Sequence, residues 1–285
     1  MDKYKARVVT TKYWKPGENY LEEIIKGVKA KLAEEDFIVL SEKALSTALN
    51  NIVDESTVKP SLSAKMISKF WMQIVWGQFL GRLCHLREKT LQRLRKYPPR
   101  LGSHHKQVAL QYVGFLQTLM FGSEGGIDGS NLPYSYVSLP LKNADKVANI
   151  VRHQIWLRLK KKIYVIIIDT DKTYSFRNFH FTPRPKPMKG IISTGGVISY
   201  LFGRMFKLKK RATPLAVAGC GMSVEEALEI AEFANRLRGF GAGRTVWDMT
   251  EKFKVALTAV SWEMLTAIEH KPIVIVRRIK RQKCQ

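Results

Sequence analysis

Cysteine is scarce in this chain. Its three, Cys84, Cys220 and Cys284, are far apart and in no C-x-x-C arrangement, which excludes a disulfide framework and offers no thiolate zinc site. Long hydrophobic runs are absent as well. The most apolar region, Met66 to Leu83, is interrupted by Lys69, Gln73, Gln78 and Arg82, short of the roughly eighteen apolar residues that mark a membrane span. The start, Met1-Asp2-Lys3-Tyr4-Lys5, leads into an alternating segment with neither an apolar signal core nor a small-residue cleavage site. A cytoplasmic protein without a membrane partner is the expectation. Acidic residues are half as numerous as basic ones, 24 against 48, for a formal charge of +24. Such an excess concentrates phosphate-bearing ligands or nucleic acid near the surface and says nothing about fold. The charge is spread over Lys65 to Lys106, Lys160 to Lys162, Lys207 to Arg211 and Arg277 to Lys283, so no run reads as a disordered tail.

What is present is enough apolar material for a sizeable core, 45% of 285 residues. Arg7 to Thr11 alternates as a strand, and Pro16-Gly17 turns into a helix from Tyr20 to Leu32 with Ile24, Ile25, Val28 and Leu32 on one face. Phe37 to Leu40 reads as a short buried strand that must turn at Ser41-Glu42-Lys43. Ser63 to Tyr97 has a helical pattern stopped by Pro98-Pro99, and residues 63–104 make a basic helical segment within one unit spanning 1–285. Gln107 to Met120 is read as a strand, and Asn143 to Lys162 as a helix. The run Ile163 to Ile168 suits a strand covered on both sides. Ser223-Val224-Glu225-Glu226 opens a helix with a capping box, and Pro272 to Val276 is a closing strand. Helices interspersed with apolar strands predict an α/β or α+β protein: mixed sheets with covering helices, in one unit or two interleaved subdomains.

Two acidic constellations carry candidate chemistry. Glu124 to Asn131 places Asp128, Asn131 and accessible backbone amides on a glycine-rich loop, where carboxylate oxygens are the hard ligands that magnesium or manganese takes. A turn built on Asp and Asn explains the same residues without a ligand. Asp169-Thr170-Asp171 follows the buried strand at its carboxyl end, where ligands bind in open α/β sheets, although an Asp there also serves as a cap.

The series Asp128-Gly129-Ser130-Asn131, Leu139-Pro140-Leu141, Ala144-Asp145-Lys146 and Ile168-Asp169-Thr170 resembles, in order and spacing, that of the coenzyme F-420 gamma-glutamyl ligases. Pro16-Gly17, Val39-Leu40-Ser41-Glu42-Lys43 with Ser46, Gly203 and Pro272 to Arg277 extend the resemblance over most of the chain. It implies a ligase-like fold and a homodimer. Asp128 and Asp169 would hold a divalent metal (Mg or Mn), Thr170 a second metal site, and Asn131, Glu42 and Lys43 the guanine nucleotide. It further implies a reaction in which GTP activates a deazaflavin precursor as an acyl phosphate that L-glutamate attacks. The chain departs from the pattern at Thr47, where lysine is usual, and at Asp171-Lys172, where a glycine-arginine pair is usual. Two alternatives remain open: ligation of another carboxylate acceptor, or a non-catalytic, basic nucleic-acid-binding protein on the same fold, the latter not favoured. His104-His105-Lys106 could face phosphate or move protons, but neighbouring residues need not share a face. Gly239 to Arg244 lacks the ending of a P-loop and reads as a helix stop.

Overall fold

Strands β1 (Tyr4–Thr11), β2 (Phe37–Ser41), β3 (Ile52–Asp54), β4 (Tyr136–Ser138), β5 (Tyr164–Phe176), β6 (Phe179–Thr182), β7 (Ile192–Ser193), β8 (Lys209–Ala218) and β9 (His270–Arg278) form the sheets of the protein, seen in a computed structural model. The structure describes residues 4–122, 124–193 and 195–279; the first three residues, Ser123, Cys284 and the basic run beyond Ile279 lie outside the described residues. Seven strands make one mixed sheet in the order β1-β9-β2-β5-β6-β7, with β8 branching off β5, while β3 and β4 pair separately. β2 and β5 run parallel from Phe37 opposite Tyr164 to Ser41 opposite Ile168, and β9 lies antiparallel between β1 and β2. The mixed α/β architecture expected from the sequence is the one observed.

The uninterrupted apolar runs of β2, β5 and β9 follow from the period of two in a strand. Ile38, Leu40, Val165, Ile167, Ile273 and Ile275 face one layer, where they meet Ile24, Ile25 and Val28 of the Tyr20–Val28 helix and Val147, Val151 and Ile155 of the Ala144–Leu159 helix. Phe37, Val39, Ile166, Ile168, Val274 and Val276 face the other, against Ile230, Ala231 and Ala234 of the Val224–Arg238 helix. Each fully buried aliphatic side chain contributes about 1.5–3 kcal/mol, so both faces must be apolar for the sheet to sit in the middle. Helix starts are set locally: Ser223 Oγ accepts from Glu226 N at 3.2 Å, the capping interaction its sequence predicts.

Three sequence expectations are corrected. Ser63 to Tyr97 is not one helix but a succession: Leu62–Met66, a π-helical stretch Ile67–Leu80, a single turn Gly81–Leu83, then Glu88–Arg95. Residues 107–120 are not a strand; they belong to helix Pro99–Tyr112 and the turn of helix Phe115–Thr118. Pro99 occupies the first turn of that helix, where its missing N–H costs nothing, so the proline pair both separates and initiates. These helices pack on one another and on the Val197–Met205 helix around Met72, Trp76, Leu94 and Val197. Gly203 of that last helix lies so close to Tyr174 that an added Cβ would sit 2.3 Å from the ring. The third correction concerns Asp169, which does not end its strand. β5 continues to Phe176, and its register against β8 jumps from Asp169 opposite Thr213 to Lys172 opposite Ala212. Thr170 and Asp171 are therefore extruded in a bulge, a device that re-aims side chains beside sites. No helix among the described residues is long and apolar enough to cross a membrane.

Candidate functional site

β2 loses its parallel partner after Ser41, and the chain turns at once into the Glu42–Ala48 helix, which puts Lys43 beside the carboxyl end of the β2–β5 pair. The β5 bulge brings Asp169 and Thr170 to the same end, and the glycine-rich loop brings Asp128 and Asn131. These five residues line one pocket of about 140 Å³, together with Gly239–Arg244 and with His270 and Lys271 of β9. Residues separated by more than a hundred positions thus converge at the crevice where open α/β sheets bind ligands.

The acidic loop is tied at both ends. Asp128 Oδ1 accepts from Ser130 N at 2.7 Å and Asp128 Oδ2 from Ser130 Oγ at 3.1 Å. Lys43 Nζ forms an ion pair with Asp128 and donates to Ser130 Oγ and Ser130 O at 2.7 and 2.9 Å. At the other end, Glu124 is 1% exposed and held by His105 Nε2 at 2.7 Å and Lys106 Nζ at 2.5 Å, while His105 Nδ1 meets Glu55. The carboxylates of Glu55 and Glu124 hold the His105 imidazolium well above its ordinary range despite burial, so the cluster alternates in charge and is neutral as a whole. His105 and Lys106 therefore anchor the loop, a task that no local pattern announces.

Asp169 is oriented by Arg184, a residue the sequence did not single out. Arg184 is 1% exposed; its Nε donates to Asp169 Oδ2 at 2.8 Å, and its Nη atoms bind Glu42 and the Gly125 carbonyl. Gly126 (φ +99°) makes room for it, since a Cβ there would lie 2.3 Å from the guanidinium carbon. Glu42 also accepts from Leu141 N at 2.7 Å, and burial pushes its carboxyl up to about 7 against the pull of Arg184, with the nearby Asp169 charge adding to the rise. Glu42 is thus a buried brace and not a pocket-lining group. At the two positions that depart from the family pattern, Lys172 pairs with Glu232 at 3.0 Å and Thr47 Oγ1 donates to Lys43 O at 2.8 Å.

Asn131 has its side chain fully engaged. Nδ2 donates to Phe240 O and Gly243 O at 3.2 and 3.0 Å, and Oδ1 accepts from Ala242 N at 2.6 Å. The Gly239–Arg244 segment does end its helix, as the glycines indicate, and it is also stapled into place as a pocket wall. Arg238 lines the same pocket, and desolvation lowers its guanidinium to about 10 although Asp169 and Asp128 stabilise the charge. Burial lowers His270 to about 4, so its ring is neutral at physiological pH; its Nδ1 lies 3.0 Å from Lys12 O. Among the residues lining the pocket, four basic side chains (Lys43, Arg238, Arg244 and Lys271) stand against three acidic ones (Asp128, Asp169 and Glu269), a balance that favours an anion.

The residues that could hold a divalent ion are Asp128 and Asp169 through their carboxylates and Thr170 through its hydroxyl, all hard oxygens of the kind magnesium and manganese prefer. No group of three or more His, Cys, Asp or Glu suited to a metal assembles among the described residues. The set fits an ion that completes its shell with phosphate oxygens and water, which is how magnesium is commonly held beside nucleotides.

A second, larger cleft of about 640 Å³ shares Asp128, Thr170 and Arg244 with the first. Against known proteins, residues 8–224 match the family model described as F420-0:Gamma-glutamyl ligase. The chain is also 34% identical over 285 residues, 96% of each chain, to a protein of Methanocaldococcus jannaschii described as uncharacterized.

Proposed function

The chain belongs to the F420-0:gamma-glutamyl ligase family, a membership that supports a ligase role in coenzyme F-420 biosynthesis, and we propose that it joins L-glutamate to a deazaflavin acceptor at the expense of GTP, with Mg or Mn bound. The observation that carries this reading is the convergence of Lys43, Asp128, Asn131, Asp169 and Thr170 on one cationic pocket. Its volume of about 140 Å³ is below the usual range for small-molecule sites and suits a phosphate group better than a whole nucleotide.

In the proposed reaction a carboxylate oxygen of the acceptor attacks the γ-phosphorus of GTP, the bond from that phosphorus to the β–γ bridging oxygen breaks, and GDP leaves with the electron pair. The amine of L-glutamate then attacks the acyl carbon, the carbon–oxygen bond to phosphate breaks, and the amine surrenders a proton as the amide forms. Negative charge builds on phosphate oxygens in both steps, and a divalent ion would supply charge neutralisation there. Lys43 and Arg238 place fixed positive charge at the same oxygens. Arg184 holds Asp169 in the orientation a ligand needs, and Asn131 serves the nucleotide through the loop it staples. Glu42 supports the site from beneath it. The resemblance also carries a homodimer, which light scattering of the pure chain tests by returning the mass of two chains.

Calorimetric titration of GTP with manganese present, beside ATP and a metal-free control, tests the proposal. Manganese-dependent binding that prefers GTP supports it. Binding that persists unchanged in Asp128→Asn and Asp169→Asn would sink the assignment of the metal and nucleotide.

A further inference from the structure

The basic helical segment supplies no residue to the phosphate pocket. It is built around the π-helical stretch Ile67–Leu80, whose inward side is fastened in place. Met72 and Trp76 are fully buried, the indole nitrogens of Trp71 and Trp76 donate to Leu119 O at 2.8 and 2.7 Å, and Gln73 Nε2 donates to Tyr97 O at 2.7 Å. Gly77 and Gly81 let the Glu88–Arg95 helix come so near that an added Cβ would lie 3.0 Å from the Arg95 side chain and 2.4 Å from that of Leu91.

The outward side is apolar and uncovered. Leu62, Met66, Phe70, Ile74, Phe79 and Leu83 recur at steps of four and five and are 44–77% exposed, and none of them belongs to the helical core. The i→i+5 bonding of a π-helix widens its turn, so residues at such steps stand in one row. An apolar row of this length on a rigid helix marks an interaction surface. Lys65, Lys69 and Arg82 directly precede Met66, Phe70 and Leu83; all three are exposed and have no ion-pair or hydrogen-bond partner among the described residues. Residues 62–107 hold ten lysines and arginines against one acid, Glu88, which Arg95 holds at 2.9 Å.

We infer that this row seats the protein on an anionic lipid surface, the apolar side chains entering the boundary between headgroups and acyl chains and Lys65, Lys69 and Arg82 meeting the lipid phosphates. Apolar contact and electrostatic attraction add in such binding, and lysine lays its stem along the apolar layer while its ammonium reaches the headgroups. No spanning run is needed for a helix that lies on the surface, so the expectation of no membrane partner, drawn from the lack of such a run, does not bear on it. Charge disfavours a second copy here, because a twofold partner would bring the same cations against these. Leu62, Met66, Ile74 and Leu83 give a base nothing to stack on, which disfavours single-stranded nucleic acid, and lysine is depleted where proteins meet proteins. The inference is independent of the ligase reading.

The test is sedimentation with vesicles of equal parts phosphatidylcholine and phosphatidylglycerol, beside vesicles of phosphatidylcholine alone. The wild type is compared with the double variants Phe70→Ser/Phe79→Ser and Lys65→Gln/Lys69→Gln and with Phe176→Ser, an exposed apolar residue elsewhere. Thermal melting checks folding, and GTP titration with manganese checks the phosphate pocket, which none of these positions lines. The expected result is binding to the anionic vesicles about tenfold or more tighter than to the neutral ones, weakened by salt, lowered about tenfold or more by either double variant and less than about twofold by Phe176→Ser. Four results overturn the inference: no binding to anionic vesicles; equal binding to neutral ones; binding that both double variants retain; or a Phe70→Ser/Phe79→Ser protein whose mass in light scattering falls from two chains to one, which would give the row to a second copy. Salt-sensitive binding of a single-stranded RNA that the phenylalanine variant loses, without vesicle binding by the wild type, overturns it in favour of nucleic acid. Unchanged GTP binding beside any of these leaves the ligase reading intact.

Discussion

Replacing Arg184 by Met removes a guanidinium that serves two carboxylates and one backbone carbonyl in a space 1% exposed. The methionine restores most of the volume, so packing changes little. What remains is Glu42 and Asp169 with a common partner gone and the Gly125 carbonyl without its donor. Breaking a buried ion pair from one side costs about 3–5 kcal/mol, because the surviving charge stays desolvated. The loss must depend on pH. Glu42 is already raised to about 7 with Arg184 present, and without that positive charge its folded-state value rises further above the unfolded one. A carboxyl raised on folding binds a proton more readily in the folded state, so stability falls as pH rises from the unfolded value through the folded one. The deficit of Arg184→Met relative to wild type should therefore be largest at pH 8 and shrink at pH 5.5, where Glu42 is protonated. Urea denaturation of both proteins at the two pH values measures it. A difference below about 1 kcal/mol at pH 8, or the same deficit at both pH values, would refute the reasoning, since the first is well short of the cost of a broken buried pair.

Asp128→Asn should leave the melting temperature within a few degrees, Asp169→Asn should lower it because the buried Arg184 loses one of its carboxylates, and each should lower manganese-linked GTP affinity at least tenfold, about 1.4 kcal/mol, in calorimetry. Gly203→Ala places a methyl 2.3 Å from the Tyr174 ring and should cost about 1–3 kcal/mol in thermal or urea unfolding. Glu225 is held down to about 2 chiefly by its hydrogen bond with Arg211. A carboxyl lowered on folding stabilises above its unfolded value and loses that as pH falls through the folded one, so Glu225→Gln should weaken the protein at pH 7 and the gap should close between about pH 4.5 and 2. Equal gaps at pH 7 and pH 2 in urea titrations would contradict this.

Much of the scaffold was legible because its signals are local. Phe37 to Leu40, Ile163 to Ile168 and Pro272 to Val276 are apolar on both faces, and Ser223 with Glu226 marks a helix start within four residues. Residues 107–120 misled because their β-branched and aromatic side chains suit strands, yet Val108 and Ala109 are buried on a helix whose start is fixed by Pro99. Here tertiary packing overrode propensity. The apolar run ending at Ile168 suggested that Asp169 closes its strand, but the strand continues to Phe176, and the bulge that turns Thr170 out depends on β8, more than forty positions away. Arg184 sits between two prolines with nothing nearby to suggest that it reaches Asp169, Glu42 and Gly125. The loop Gly239–Arg244 looked like a helix stop and is one; only the bonds from Asn131 reveal it as a pocket wall. Pairings distant in sequence decide which acids meet, and a single sequence carries no record of them.

The most direct measurement follows the reaction itself: purified protein with F420-0, L-glutamate, GTP and manganese, the deazaflavin product resolved by mass spectrometry and GDP quantified beside it. The proposed chemistry predicts a product heavier by one glutamyl residue or more, one GDP formed for each glutamyl added, and neither when manganese is withheld or Asp128→Asn is used. Product formed without GDP release, or GDP released at the same rate with and without F420-0, would contradict it.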